Sequence, residues 1–134
     1  MRSVAVLALA AAYLLGCTAG AWADCKLRGG EHVVLYGSAD DPSVLAWDSA
    51  ERLREYNAAS FDEARALALH AIDLSPGTRA QVVSCRPDFV QSQTADVVGD
   101  AVGVLILTGS YRGLTRWVLS TDIRDVDRAK KQHH

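Results

Sequence analysis

The chain has 134 residues, 49% hydrophobic and 22% charged, proportions that fit one domain with an ordinary core. Its formal net charge is −2, with acidic and basic residues interspersed. The absence of a Lys/Arg stripe excludes a nucleic-acid-binding surface.

The first segment reads as an export signal. Met1, Arg2 and Ser3 form a short positive start, Val4 to Leu15 is an uninterrupted apolar run, and small residues follow. The run is short for a membrane span. Two processing sites compete. Ala21-Trp22-Ala23 places small residues three and one positions before Asp24, which implies a signal peptide of residues 1–23. Leu14-Leu15-Gly16-Cys17 resembles a lipobox, in which Cys17 would be lipidated and become the first residue. The short tether this would leave before Cys25 favours cleavage after Ala23. That cleavage also removes Arg2 and takes the net charge from −2 to −3.

With Cys17 removed or acylated, Cys25 and Cys85 remain as a pair, and in an oxidising compartment they are expected to form a disulfide. No Cys-x-x-Cys motif or His cluster accompanies them, so neither a metal nor a cofactor is expected.

His32 to Tyr36 reads as the first strand, with Val33 and Leu35 on one face and Val34 and Tyr36 on the other. From Pro42 to Ile72 the period becomes helical. Asp41-Pro42 offers an N-cap and first-turn pair, and Ala46, Ala50, Leu53 and Tyr56 or Asn57 recur at helical spacing. Ser60 with Glu63 forms a capping box ahead of a second helix, whose inner face would be Phe61, Ala64, Leu67, Ala68 and Ala71. Trp47 reads as the anchor that pins this insertion to the core.

Leu74-Ser75-Pro76-Gly77-Thr78 is a turn leading into a second strand, Arg79 to Cys85, in which Ala80, Val82 and Ser84 share a face. Pro87 and the polar run after it make Arg86 to Asp96 a loop, with a short extended piece around Phe89-Val90. Val97 to Thr108 is a third strand, bulged at Gly99 or Gly103. Gly109, Ser110 and Gly113 supply a hairpin turn before a fourth strand at Trp117 to Leu119, and Thr121 to Arg124 suits a 3₁₀ turn. The tail, 128–134, carries Arg128, Lys130, Lys131, His133 and His134 and reads as a frayed end.

This order, with Leu74, Gly77, Thr78, Ala80 and Val82 in the second strand and Gly109, Tyr111, Gly113, Trp117 and Val118 around the hairpin, resembles a bacterial SH3-like (SH3b-type) domain. Two departures are visible. Arg116 stands where the family commonly has glycine, and the connection between the first two strands carries the helical segment. The resemblance implies a mainly β fold, a small barrel spanning 24–127 with one or two helices inserted at about 42–72. It also implies a binding role, with an envelope protein or a cell-wall peptide as partner.

No Gly-x-Ser-x-Gly elbow, His-Glu-x-x-His motif or phosphate loop is present, and His32 and His70 read as surface residues, so the chain is not expected to be an enzyme. Exposed aromatics and arginines near loops are the best binding candidates. These are Tyr111 and Arg112 at the hairpin tip, then Tyr36 at the mouth of the insertion, and Trp117, whose strand position suits a core role first. The expected setting is periplasmic or secreted, with membrane contact only through the signal segment or a lipid on Cys17. A small secreted enzyme inhibitor, plugging an active site with a protruding loop, is the alternative.

Overall fold

The computed structural model describes residues 25–91 and 98–125. The expected signal segment, the lipobox and the basic tail lie outside these residues. The described elements are β1 (His32–Leu35), β2 (Val44–Ala46), α1 (Ala50–Ala58), α2 (Phe61–Leu67), β3 (Ile72–Leu74), β4 (Thr78–Gln91), β5 (Val98–Ile106), β6 (Thr115–Leu119) and β7 (Ile123–Asp125). A 3₁₀ turn at Ala68–His70 extends α2, and a second at Ser120–Asp122 precedes β7. The protein is mainly β with two helices in the connection between β1 and β4.

Five strands form one antiparallel sheet in the order β6-β5-β4-β1-β7, and β2 pairs with β3 in a separate two-stranded sheet. The expected barrel is not closed. Just after β2, Trp47 and Trp117 of β6 form a bridge and exchange both backbone hydrogen bonds at 2.8 and 2.7 Å. That bridge explains why Pro42 does not start a helix. Pairing with β3 and β6 holds Val44–Ala46 and Trp47 extended, and the Pro42 carbonyl instead accepts the Gly37 N–H. The helix begins only after Ser49, whose backbone is extended and whose Oγ accepts the Arg52 N–H at 3.2 Å.

β4 is longer than the sequence suggests, because two irregularities let it pass through residues that would otherwise end it. Val83 is an extra residue opposite the Val104–Gly103 step, so Cys85 rather than Ser84 follows Val82 into the core. The bulged strand is therefore β4, not the glycine-bearing β5. Gly103 has a different role: a Cβ there would collide with Ser84 Oγ and meet the Trp117 indole at 3.5 Å. The second irregularity, between Arg86 and Val90, accommodates Pro87. It places Asp88 at φ 49, a conformation Asp tolerates, with its N–H donating to Asp100 Oδ1 at 2.9 Å. The strand thus runs to Gln91, through residues expected to form a loop.

Two hydrophobic clusters result. The first lies on the face of the sheet that carries Val33, Leu35, Ala80, Val82, Val102, Val104, Ile106 and Val118, closed by Val44, Ala46 and Leu74 of the small sheet. The Cys25–Cys85 disulfide closes it from the N-terminal side, with Cα atoms 6.5 Å apart and a sequence separation of 60. By chain entropy alone such a loop closure stabilises the fold by about 4 kcal/mol. The second cluster packs Trp47, Ala50 and Leu53 against Val90 and Ala101, with Trp117 and Leu119 half-buried at its margin. Trp47 is 1% exposed and stacks on Tyr56 at 4.9 Å, so it anchors the insertion as expected.

The second helix departs from its sequence pattern. Ser60 occupies the N-cap position, yet its side chain makes no capping hydrogen bond, and none of α2 is buried. Phe61, expected on the inner face, is 77% exposed, and Leu69 in the following turn is 86% exposed.

A candidate binding cleft at the hairpin tip

The turn between β5 and β6 is held by main-chain bonds. Gly113 N–H donates to the Ile106 carbonyl at 2.8 Å, Arg112 N–H to Gly109 and Leu114 N–H to Tyr111. Gly109 (φ 87) and Gly113 (φ 95) provide left-handed positions that a side chain would strain, which is why the turn needs glycine at both. The facing wall is the turn from β3 to β4. There the Thr78 hydroxyl donates to the Ser75 carbonyl at 2.7 Å and Gly77 N–H donates to Leu35 at 2.9 Å. The two turns are tied together, since Arg79 N–H donates to Thr108 Oγ1 at 3.0 Å and Leu107 N–H to the Arg79 carbonyl at 2.8 Å.

Between these turns lies a small cleft of about 80 Å³, lined by Asp73, Leu74, Ser75, Thr78, Thr108, Gly109, Ser110 and Tyr111. Its volume is far below the roughly 300 Å³ at which drug-sized ligands are enclosed. It therefore suits one edge of a ligand that continues across the surface. Tyr111 is 38% exposed and lines the cleft. The Asp73 carboxylate and the Ser75 and Ser110 hydroxyls make no side-chain hydrogen bond among the described residues, although Ser75 lends its carbonyl to Thr78.

Of the four residues singled out from the sequence, only Tyr111 reaches this cleft. Arg112 is exposed beside it but does not line it. Tyr36 is 41% exposed at the end of β1, where its N–H donates to the Asp122 carbonyl, and it does not line the cleft. Trp117 is half-buried in the second cluster over Gly103. Asp73, Ser75, Thr108 and Ser110 carry no sequence signal of a site. Their turn chemistry was legible, but not that two turns far apart in sequence face each other.

Elsewhere some charged groups tie elements of the fold together. Arg86 pairs with Glu51 of α1 and also lies 3.8 Å from the Phe89 ring centroid, while Arg54 lies 5.0 Å from the same centroid. The Arg86 hydrogen bond holds the Glu51 carboxyl below its usual range. Asp122 is pushed the other way by burial, aided by the charge of Asp41 and opposed by Arg124. Cys25, Cys85 and Asp100 come close enough to share a cation, but the two sulfurs are bonded to each other. His32 and His70 are exposed, one on β1 and the other in the 3₁₀ turn after α2.

No family model matches the chain, and neither a curated protein nor a solved structure matches it. The disulfide fits an oxidising compartment. No helix among the described residues is long and apolar enough to cross a membrane.

Proposed function

We propose that the chain is an exported binding or scaffold domain of the bacterial envelope, related to the SH3-like domains, whose binding surface is the β5–β6 hairpin tip. The SH3-like reading is supported by the order of elements: a first strand, a long connection, three strands ending in a glycine-bounded hairpin, then a 3₁₀ turn and a last strand. A binding role rather than a catalytic one is supported by the separation of the titratable groups, since His32 and His70 stand exposed on different elements.

The observation that carries the proposal is the hairpin cleft. Main-chain hydrogen bonds hold both its walls in place, so a ligand can meet Tyr111 and its polar neighbours without ordering them first. The partner is an envelope protein or a cell-wall component, and the setting is the periplasm or the cell exterior. A pull-down from periplasmic extract, together with co-sedimentation on purified wall material, tests this. The wild-type domain should be retained by one of them, and Tyr111→Ala should be lost while folding normally. Retention of Tyr111→Ala equal to wild type would move the site away from the hairpin. Stoichiometric recovery of one soluble enzyme, with loss of that enzyme's activity, would make the protein an inhibitor.

A further inference from the structure

Resting on the hairpin cleft as the binding site, we propose that its ligand is a neutral glycan, held by the edge of one sugar ring. The cleft is lined by one aromatic residue, Tyr111, by the hydroxyl-bearing Ser75, Thr78, Thr108 and Ser110, of which Thr78 donates to the Ser75 carbonyl and Thr108 accepts from Arg79, and by a single acidic residue, Asp73. A carboxylate accepts hydrogen bonds from two neighbouring sugar hydroxyls, and each serine hydroxyl can both donate and accept, matching groups that do the same. A tyrosine ring offers an apolar face to the C–H side of a pyranose and a polar tip to its hydroxyls.

The same lining argues against other ligand classes. Among the described residues no arginine or lysine lines the cleft, so an anion placed there would meet the Asp73 carboxylate without a compensating charge. An apolar side chain would cover Asp73, Ser75 and Ser110 without supplying the hydrogen bonds those groups make to water. The Ser75 and Ser110 hydroxyls can donate as well as accept, a capacity that a polyol uses in full and an ammonium group, a donor alone, leaves idle. Glycine at 109 keeps the rim low, with nothing within 4 Å of where a Cβ would stand, and leaves room for the chain to continue past the bound ring.

The test is a nuclear magnetic resonance titration of the disulfide-bonded domain with N-acetylglucosamine, its linear tetramer and methyl glucoside, with 1,5-diaminopentane and inorganic phosphate as separate arms. A saturable shift confined to residues 73–78 and 108–111 is expected with at least one sugar, strongest for the tetramer. Asp73→Asn and Tyr111→Ala should each weaken binding about tenfold, whereas Tyr111→Phe, which keeps the ring, should lose much less. Both positions are exposed, so the melting temperature should not move. Should Asp73→Asn disturb folding, Ser110→Ala replaces it with the same expectation.

Absence of saturable shifts with every sugar overturns the glycan assignment, as does a saturable response at these residues to the diamine or to phosphate instead. Either result combined with Tyr111-dependent retention on envelope material leaves the hairpin as the binding site and removes only the ligand class. Loss of that retention removes the site as well.

Discussion

The two helices of the insertion begin with similar signals and end in different physical states. α1 is entered from Ser49, whose hydroxyl caps the first turn, and it buries Ala50 and Leu53 beneath Trp47. α2 is entered from Ser60 with Glu63 three residues on, the stronger pattern by sequence, yet that hydroxyl caps nothing and no residue of the helix is buried. Strand pairing accounts for the difference. Trp47 is locked to β6 by two backbone hydrogen bonds, so the residues after it start against the sheet, whereas α2 meets the second cluster through the half-buried Leu67. A cap therefore specifies where a helix begins, and a tertiary anchor decides how much of it is held.

The largest test of this contrast is at the anchor. Trp47→Ala should cost about 3 to 5 kcal/mol in denaturant unfolding, as expected for an aromatic removed from a core. Trp117→Ala should cost less, because that indole is only half-buried. An equal or larger loss at Trp117 would mean that β6, not the insertion, organises the second cluster. Leu53→Ala should follow at about 2 to 5 kcal/mol, and hydrogen exchange should show α1 protected well above α2. Equal protection of the two helices would remove the distinction.

The caps provide a finer test. Ser49→Ala should cost about 1 kcal/mol. Ser60→Ala should stay within about 0.5 kcal/mol, and so should Phe61→Ala at its exposed position. A loss near 1 kcal/mol at Ser60 would show that its cap forms in solution and that α2 is better held than described.

The smallest effect is one of pH, at the 3₁₀ turn before β7. Burial raises the Asp122 pKa above its unfolded value, so the folded state holds this proton more tightly. Stability from this group is complete below the unfolded pKa and is lost as pH rises through the folded one. Asp122→Asn should therefore flatten a shallow acid-side gain in melting temperature and leave the insertion unaffected. An unchanged pH profile would contradict the raised pKa.

Local pattern alone made much of the molecule legible. Alternation at Val33 and Leu35 assigns a strand and its buried face, because side chains in a strand have a period of two. The glycines at 109 and 113 announce the hairpin, since their positive φ is a property of the residue itself. Cys25 and Cys85 announce their own pairing once Cys17 is assigned to an expected export signal, and a large aromatic opening a helical insertion announces its anchor. What tertiary structure decided was everything that depended on a distant partner. Val44–Ala46 is extended because it pairs with β3 and because β6 holds the adjoining Trp47, against the helical spacing of its own residues. β4 runs through Pro87 because Asp100 and β5 support the irregularity there, and Val83 sets which of Ser84 and Cys85 faces inward. The cleft belongs to the same class. Asp73, Ser75 and Ser110 are ordinary turn-flanking residues in the sequence, and they face Tyr111 only because Thr108 and Arg79 bind one turn to the other.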